Sequence, residues 1–540
     1  MTRTHEVVNQ VPQLVGYDVA GEDAALSEGV TRHGAEWALP ALGDLGRCAG
    51  SAAAQEWGRL ANEHPPVLRT HDRYGVRIDE VEFHPAWHEL MAVAVGAGLH
   101  AAPWVEPRPG AHVSRAAAFL TWSQAEAGHG CPVSMTYAAV PALRREPALA
   151  DAWVPLLATT SYDPGLRPAS AKTGCLAGMA MTEKQGGSDV RANTTRAVPD
   201  GDGDGYRITG HKWFCSAPMC DVFLVLAQAP GGLSCFLVPR VLPDGTRNTF
   251  ELQRLKDKLG NRSNASSEVE FRDTWAAPVG PEGRGVHTII EMVNSTRLDC
   301  VIGSAALMRQ AVAQATHHAR HRQAFGGYLR DKPLMANVLA DLALESEAAT
   351  TLALRLAAAV DDGEESFKRL ALAAGKYWIC KRGPAVAAEA LECLGGNGFV
   401  EESGLPRLYR EAPLNSLWEG SGNVGALDVL RALAREPSSL AAWRSEVDLA
   451  AGGDRRLDAA AAAVHGQLAG ADVPEGQARR LVERLALVLQ GSLLVRFAPP
   501  AVADGFCASR LAGDWGAAFG TLPATVDVSG IVERATPKVG

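Results

Sequence analysis

The sequence predicts an α+β protein in which two helical regions flank a middle β region and a further helical region follows. Apolar residues recur at helical spacing before about residue 175 and again after about residue 286. Between these regions, short strand-like segments succeed one another without intervening helices. We therefore expect a helical N-terminal domain (1–175), a middle antiparallel β domain (176–285), a helical bundle domain (286–436) and an extra C-terminal helical domain (437–540).

Composition limits the function classes. Of the 540 residues, 47% are hydrophobic and 21% are charged, as in ordinary globular proteins of several domains. The net charge of −9 and the isoelectric point near 6.0 give no overall attraction to nucleic acids or acidic membranes. No apolar run approaches the roughly 18 residues of a membrane helix, and the start of the chain is unlike a signal peptide. The ten cysteines form no C-x-x-C pair. These features favour a cytoplasmic protein with reduced cysteines.

The N-terminal region contains histidines that could suggest a metal site. Trp87–Met91 and Arg115–Glu126 each open an apolar helical run, and His84, His88 and His129 lie nearby. None of these histidines is followed by an acidic residue four positions later, so structural or surface roles are favoured. We therefore expect no metal.

Strand-like segments define the middle domain. Turns separate them, and they are Tyr206–Cys215, Asp221–Gln228, Leu233–Arg240, Phe250–Leu255 and Ser267–Phe271. Because no helices separate these segments, we expect a compact antiparallel sheet or barrel.

Long helices are predicted after the β domain. They are Thr288–His321, Pro333–Val360 and Glu365–Leu394, and the glycines after Leu394 stop the last one. The region from about residue 440 is alanine-rich and also helical. Pro437-Ser438-Ser439 is predicted to be the linker that leads into it.

One loop organises the candidate site. Met181–Val190 joins an apolar segment to the strand-like segments, and Gly186 and Gly187 within it allow close approach of the backbone to a ligand. Free N–H groups in such a loop can hold an anion, and Thr182 and Ser188 add hydroxyl groups. The loop is neither a Walker A motif nor a Rossmann turn. Taken alone, it is better explained as a tight polar turn.

Other segments complete a pattern with this loop. They are Lys212–Ser216 at a strand end, Arg322–Gly326 after the long helix, the glycine-rich turn Leu394–Phe399, and Leu417–Asn423, which has a carboxylate beside glycines. Each has an ordinary explanation as a strand end, a helix cap or a turn. Together, in this order and on an α–β–α layout, they resemble the acyl-CoA dehydrogenase flavoproteins over about residues 115–435.

The resemblance implies FAD bound without a Rossmann fold, in a dimer or in a tetramer that is a dimer of dimers. The residues that would line the flavin ring and the pyrophosphate are Met179, Met181, Thr182, Gly187 and Ser188. Those that would cover the isoalloxazine are Phe214, Cys215 and Ser216. Those that would contact the adenosine diphosphate of a neighbouring subunit's FAD are Arg322, Phe325, Gly395 and Gly396. Those that would close the site are Leu417, Trp418, Gly420, Ser421, Asn423 and Leu427. Glu392 replaces a glutamine of the family, which weakens that contact.

Glu419 matches the catalytic carboxylate of the family. Removal of the α-proton of an acyl thioester needs a base close to the substrate, and such a base contributes roughly 10²–10⁴ in rate. A hydride then leaves to the flavin. Some relatives carry the base on the long helix, at the position of Thr296, which cannot serve, and the adjacent Arg297 would border the substrate pocket. The alternative role for Glu419 is that of an acid stabilised at a helix N-terminus.

The AidB branch of the family is more similar still. The stretches that match it are Arg59–Asn62, Phe83–Trp87, Leu255–Ser263 and Ser416–Asn423, and the extra C-terminal region also fits. Members of this branch are FAD-containing tetramers with weak acyl-CoA dehydrogenase activity. They bind double-stranded DNA through the C-terminal region and are linked to protection against alkylating agents. The resemblance implies the same for this chain.

The charge of the C-terminal region limits the DNA prediction. From Arg431 onward the chain has twelve Lys or Arg and twelve Asp or Glu, which rules out a generic basic tail. Arginines gathered on one face could still bind phosphate, and the candidates are Arg431, Arg435 and Arg510. The competing hypothesis is a true dehydrogenase or oxidase of an acyl-CoA or another small molecule, whose C-terminal region only builds the oligomer.

Overall fold

The structure is a computed structural model that describes residues 4–201, 205–469 and 473–539. The chain forms two compact units. The unit that we call the β unit comprises Ala53–Arg108 and Glu126–Asp299, and the helical unit comprises Met1–Ala52, Pro109–Ala125 and Cys300–Gly540. The predicted N-terminal domain is therefore divided between the two units, and the four-domain boundaries stay a prediction.

Helices dominate the first third of the chain, with one hairpin. In order, the elements are α1 (Ala24–Arg32), α2 (Leu39–Ala49), α3 (Ala52–Glu63), β1 (Val67–His71), β2 (Arg77–Glu82), α4 (Pro85–Gly96), α5 (Ala102–Val105), α6 (Ala111–Ser123), α7 (Gly130–Leu143) and α8 (Pro147–Leu157). The expectation of helices alone is wrong at β1 and β2, which pair antiparallel. Asp72 at the turn accepts the N–H groups of Tyr74 and Val76. An aspartate followed by a glycine between two β-rich segments was the signal for this hairpin.

The middle of the chain is a closed β structure. Its strands are β3 (Ala177–Ala180), β4 (Arg196–Pro199), β5 (Tyr206–Ser216), β6 (Val222–Ala229), β7 (Gly232–Pro239), β8 (Phe250–Leu255) and β9 (Ser266–Val279). The strand order is β3-β6-β4-β5-β9-β7, β8 pairs with β9, and pairing of β6 with β7 closes the path. The five predicted strands are confirmed. The short β3 and β4 are additional, and both pair with β6 in parallel rather than antiparallel.

Apolar packing explains the β core. The six residues from Val222 to Ala227 are all buried, and a two-residue turn after Ala229 leads directly into β7. Phe223 packs on Phe250 with ring centroids 4.8 Å apart. A Cβ atom at Gly178 would lie 2.3 Å from the Phe223 ring, so β3 can approach this core only with glycine at that position.

The long helices after the β structure are confirmed to within three residues at their ends. The elements are α9 (Gly285–His321), β10 (Gln323–Ala324), β11 (Gly327–Tyr328), α10 (Pro333–Asp361), α11 (Glu365–Cys393), α12 (Leu405–Glu411), α13 (Leu414–Leu417) and α14 (Gly422–Arg435). Most residues of α10 from Leu339 to Ala359 are buried, as are those of α11 from Leu370 to Cys380. These two helices form the core of the helical unit.

The C-terminal region is helical, as predicted. It contains α15 (Pro437–Asp448), α16 (Arg455–Ala469), α17 (Ala478–Phe497), α18 (Pro500–Phe506), a π-helical turn (Cys507–Leu511) and α19 (Val528–Ala535). The predicted linker is wrong, because only Glu436 separates α14 from α15 and Pro437 takes the first position of a helix, where proline is favoured. Arg534 of α19 pairs with Glu347 of α10 at 3.0 Å. The region is an integral part of the helical unit.

Candidate functional site

The loop Met181–Val190 is built around a buried ion pair. Glu183 and Gly186 exchange two main-chain hydrogen bonds of 3.0 and 3.1 Å, which fold the loop into a tight turn. The Glu183 side chain is fully buried, and its Oε1 lies 2.8 Å from Lys212 Nζ. The main-chain N–H of Thr194 also donates to this carboxylate, at 2.7 Å. Nothing local in the sequence pairs two charges 29 positions apart, so the role of both partners emerges only from the structure.

The pair fixes both the charge and the position of the loop. Burial raises the pKa of Glu183, but Lys212 and the hydrogen bonds outweigh burial and lower that pKa to about 2. Burial lowers the pKa of Lys212 to about 8 against the opposing effect of Glu183. Lys212 Nζ also donates to the carbonyl oxygens of Leu226 at 2.7 Å and Met181 at 3.3 Å. The start of the loop is therefore tied to both β5 and β6.

The predicted flavin-lining residues lie in β3 and in the loop that this ion pair fixes. Met179 is buried in β3, Met181 and Thr182 are half-buried, and Ser188 is exposed. The carbonyl of Thr182 accepts the main-chain N–H of Trp213 at 2.8 Å, which joins the loop to β5. A Cβ atom at Gly187 would lie 2.4 Å from Thr182 Oγ1, so this position requires glycine. The structure thus brings the loop and the end of β5 together.

A β-bulge changes the direction of the side chains at the end of β5. The register with β9 passes from Lys212–Val269 to Cys215–Ser267, so β5 has one extra residue there. Phe214 is 52% exposed, whereas Cys215 is fully buried and burial raises its thiol pKa to about 12. Cys215 can therefore offer only main-chain atoms to a cofactor. Ser216 is half-buried, with its Oγ 3.4 Å from that of Ser266.

In the helical unit, Arg322 leads into a two-residue hairpin. β10 pairs with β11, and Phe325 (φ 51°) and Gly326 (φ 78°) form the turn between them. A left-handed backbone is strained at a bulky residue. The Phe325 side chain is nevertheless 96% exposed. A strained turn that displays an aromatic ring to solvent suits contact with a ligand or a second chain.

Asn9 holds the base of this hairpin. Its side chain bonds both the N–H and the carbonyl of Gln323 at 2.8 Å, and its own carbonyl accepts from the Arg322 guanidinium. Asn9 has φ 56°, a conformation that asparagine tolerates better than most residues. No role is predicted for Asn9 from the sequence. The structure makes it the support of the predicted phosphate-binding arginine.

The glycine-rich turn after α11 has an open outer side. Gly395 has φ 62°, and a Cβ atom at Gly398 would lie 2.0 Å from the Leu391 carbonyl oxygen. A Cβ atom at Gly396 would meet nothing within 4 Å, so packing against the described part of the chain does not explain that glycine. Phe399 beside it is 81% exposed. Bare backbone next to an exposed ring fits the approach of a planar ligand.

The segment before α14 holds Glu419 in an unusual conformation. Glu419 has φ 57° and Gly420 has φ 99°. Lys376 of α11 donates from Nζ to the carbonyl oxygens of Trp418 at 2.8 Å and Gly420 at 2.5 Å. Oε2 of Glu419 is shielded from solvent. A carboxylate in a fixed, shielded position suits a general base.

The other residues predicted to close the site surround this turn in sequence and differ in exposure. Leu417 and Asn423 are exposed, and Trp418, Ser421 and Leu427 are half-buried. Trp418 Nε1 donates to Asn415 Oδ1 at 3.1 Å. Ser421 is the N-cap of α14, but its side chain makes no capping hydrogen bond.

On α9, Thr296 offers no alternative base. Its hydroxyl donates to the carbonyl oxygens of Met292 and Val293 at 3.2 and 3.1 Å, and the residue is buried. Arg297 is half-buried, with Nη1 3.4 Å from Asn294 Oδ1.

The predicted DNA-contacting arginines have different environments. Arg431 and Arg435 are exposed on α14, and Arg431 lies 3.5 Å from Asp428. Arg510 is wrong as a DNA contact, because its side chain is fully buried and pairs with Asp341 at 2.5 Å and Glu345 at 2.8 Å. A buried cation needs such counter-charges. Arg510 therefore anchors the C-terminal region to α10.

A second buried carboxylate was missed by sequence analysis. Glu126 is 3% exposed and accepts hydrogen bonds from Asn62 Nδ2 at 2.9 Å, Ser263 Oγ at 2.7 Å and the N–H of His129 at 2.9 Å. Burial raises the pKa of Glu126, but these bonds and the ring of His129 hold it well below its usual range. Two of the stretches that resemble the AidB branch supply Asn62 and Ser263. Their convergence on Glu126 gives those stretches a structural role.

Across the described ranges, no group of three or more His, Cys, Asp or Glu side chains could hold a metal ion. The three histidines considered above have other contacts: His84 caps α4 through the N–H of Ala86, His88 bonds the Tyr162 hydroxyl at 2.8 Å, and His129 bonds Glu126. Nor is any helix in those ranges both long enough and apolar enough to cross a membrane.

Models of three protein domains match this chain. The adaptive response protein AidB N-terminal domain matches residues 9–164, the acyl-CoA dehydrogenase middle domain matches residues 178–274, and the acyl-CoA dehydrogenase C-terminal domain matches residues 283–434. The three matches follow one another in the order of the helical, β and helical segments described above.

Individual proteins resemble the chain over nearly its whole length. AidB of Escherichia coli (strain K12) is 47% identical over 511 residues, which are 94% of each chain. The structure of Caenorhabditis elegans ACDH-11 in complex with C11-CoA has a TM-score of 0.86 at 26% identity, covering 95% of this chain and 94% of that one. An acyl-CoA dehydrogenase of Bacillus anthracis, solved with FAD, has a TM-score of 0.65 at 18% identity over 84% and 83% of the chains, and shows the shared fold alone.

Proposed function

Because this chain belongs to the acyl-CoA dehydrogenase family, in its AidB branch, and that family consists of FAD-dependent oxidoreductases, we propose that it desaturates an acyl thioester with Glu419 as the base. The observation that carries this proposal is the conformation of the Glu419 turn. A glutamate with φ 57° and a solvent-shielded oxygen is costly to maintain, and such strain collects at functional positions.

The residues present fit FAD. The loop after Met181 is fixed by a buried ion pair and offers main-chain N–H groups, and Phe214 is exposed beside it. In the helical unit, Arg322 would hold a phosphate, and the open side of Gly396 leaves room for the adenosine part. Bound FAD would supply the hydride acceptor.

Glu419 would act on the carbon next to the thioester carbonyl. Its carboxylate would take the α-proton, the hydride of the β-carbon would leave, and a double bond would form between the two carbons. The shielded Oε2 keeps bulk water away from the proton that moves.

A second copy of this chain is the proposed partner, in a tetramer that is a dimer of dimers. Large apolar side chains that are more than half exposed on the helical unit support this: Phe325 (96%), Leu334 (84%), Phe399 (81%) and Leu417 (62%). Phe325 and Phe399 belong to the segments proposed to contact a neighbouring subunit's FAD.

Duplex DNA is a second proposed partner, and with it we propose a role in the response to alkylation damage. The similarity to AidB motivates it, and exposed arginines support it: Arg431 and Arg435 on α14, and Arg479 and Arg480 at the start of α17. Guanidinium groups suit phosphate, and a tetramer would repeat the set. The burial of Arg510 favours the alternative, in which the C-terminal region serves the oligomer.

The test is anaerobic mixing of the purified protein with acyl-CoA thioesters of different chain length, followed by bleaching of the flavin absorbance. We expect a yellow protein with about one FAD per subunit, and reduction by at least one thioester. Glu419→Gln should keep the FAD and lose roughly 10²–10⁴ in reduction rate, because the amide keeps the shape and removes the base. The exposed Glu402→Gln is the matched control. A colourless protein that takes up no FAD contradicts the cofactor proposal, and unchanged reduction in Glu419→Gln places the base elsewhere.

A further inference from the structure

Among the residues that the structure describes, Lys376 is a buried cation whose hydrogen bonds all go to main-chain atoms. It lies in the middle of α11 and is 4% exposed. Its ammonium group donates to the carbonyl oxygens of Trp418 and Gly420, at 2.8 and 2.5 Å. Within the described residues, it has no carboxylate partner. Buried lysines are normally paired with an acid, so the contacts of this one call for a functional reason.

The two carbonyl groups flank Glu419. The Trp418 carbonyl belongs to the peptide plane before Glu419, and the Gly420 carbonyl belongs to the plane after Gly420. Because peptide units are planar, fixing both planes leaves the backbone between them little freedom. Glu419 and Gly420 both have left-handed backbone angles there, φ 57° and φ 99°. Glutamate rarely adopts this conformation unless its surroundings enforce it.

We propose that Lys376 is the positioning residue for Glu419: it binds the carbonyl groups on both sides of the turn and so sets the direction of the carboxylate. This inference rests on the proposed function, because it gives a role to Lys376 only if Glu419 is the base. α11 supplies a rigid support, since its residues from Leu370 to Cys380 are buried.

The chemistry of lysine suits this task. An ammonium group is a compact charge with three donors, so one group can serve two carbonyl oxygens that point toward it from different peptide planes. A methionine would fill a similar volume without any donor. A glutamine could donate to one carbonyl through its amide but has no charge. Lys376→Met therefore removes the charge and both hydrogen bonds, whereas Lys376→Gln removes the charge and can keep one hydrogen bond.

The experiment compares Lys376→Met and Lys376→Gln with the wild type in anaerobic single-turnover mixing with the thioester that best reduces the wild-type flavin. FAD content, thermal midpoint and the thioester concentration at half-maximal rate are measured alongside the limiting rate of flavin reduction. Lys368→Met is the matched control, because Lys368 lies on the same helix and pairs with the exposed Glu365 at 2.5 Å.

We expect Lys376→Met to keep FAD and to bind the thioester within a few-fold of the wild type, while its limiting rate falls by roughly 100-fold, as for a catalytic group misplaced by about 1 Å. Lys376→Gln should lie between the two, and Lys368→Met should match the wild type. In a Glu419→Gln background, Lys376→Met should cause no further loss of rate, because the positioned group is already gone.

Equal limiting rates in the wild type and Lys376→Met overturn the inference. So does a further rate loss in the Glu419→Gln background, which would indicate a general structural role. If Lys376→Met proves insoluble, Lys376→Gln decides, and a wild-type rate in that variant overturns the inference. A wild type that no thioester reduces refutes the proposed function, and the inference falls with it. A wild type that is reduced while the Lys376 variants equal it refutes the inference alone.

Discussion

Lys212 in the β unit and Lys376 in the helical unit are both buried beside a segment of the candidate site, and the two lysines are compensated differently. Lys212 lies 2.8 Å from a carboxylate, that of Glu183. Lys376 binds two carbonyl oxygens instead, on either side of Glu419. The first lysine neutralises the acid of its segment, and the second holds the backbone around an acid while leaving its carboxylate to other contacts.

We call the Lys212–Glu183 ion pair the anchor, because it fixes a loop, and Lys376 the support, because it holds the backbone around Glu419. A carboxylate in a buried ion pair is held charged and is unsuited to accept a proton near neutral pH, which fits the lowered pKa of Glu183. A base must keep that capacity, so its direction has to be set through the main chain. In this chain the ion pair fixes a loop, whereas Lys376 fixes the backbone around the proposed base.

Breaking the anchor should give the largest effect. Lys212→Met leaves Glu183 as a buried charge without its counter-ion, and we expect a loss of about 3–5 kcal/mol in the free energy of unfolding. The measurement is urea unfolding followed by circular dichroism. Lys184→Met is the control, since Lys184 is the exposed neighbour of Glu183. A loss below about 1 kcal/mol in Lys212→Met would remove the distinction between anchor and support.

The anchor should also make stability depend on acid pH. The folded-state pKa of Glu183, about 2, lies below its ordinary value of 4.5. The stabilisation from its charge is therefore complete above pH 4.5 and is lost as the pH falls toward 2. We expect the free energy of unfolding to fall more steeply over this interval in the wild type than in the double variant Glu183→Gln/Lys212→Met. Parallel curves from denaturant titrations at several pH values would contradict this.

Asn9 also holds backbone near a proposed binding residue, Arg322, and its importance can be measured through the retention of FAD. Arg322→Ala removes the proposed phosphate contact, and a hydrogen bond to a charged group contributes about 1.5–3 kcal/mol, so the FAD dissociation constant should rise roughly 10- to 100-fold. Asn9→Gly keeps the left-handed backbone and the carbonyl contact to Arg322 but loses the side-chain bonds to Gln323. Its effect should be smaller, measured by flavin fluorescence during dialysis. A larger effect of Asn9→Gly than of Arg322→Ala would reassign the role of the hairpin.

The smallest expected effect is on duplex DNA binding by the exposed arginines. Arg431→Glu should weaken duplex DNA binding, with a log–log salt slope of about −0.9 for each phosphate neutralised in the wild type. Arg69→Glu, an exposed charge reversal in the β unit, is the control. Truncation near Pro437 is unsuitable as a test, because it removes the partner of the buried Asp341 and Glu345. Fluorescence anisotropy at several salt concentrations measures the binding, and no binding at low salt contradicts the DNA proposal and favours a C-terminal region that serves only the oligomer.

Much of the fold could be predicted from local patterns. The strands from Tyr206 to Leu255 and the three long helices are encoded by periodicities that each segment carries itself. Prediction failed where the signals were short or depended on context. The β1–β2 hairpin has strands of five and six residues, and Pro437 reads equally well as a linker residue or as a helix start.

For this protein, the sequence by itself determined the helical, β, helical order of the regions, the family and the position of Glu419 in a glycine-flanked segment. Only the tertiary structure decided which charges meet: Glu183 with Lys212, Lys376 with two carbonyl groups, and Arg510 with α10. The physical reason is the distance along the chain over which each effect acts. Periodicity and turn chemistry act over a few neighbouring residues, whereas the cost of burying a charge is offset by partners that packing alone brings near.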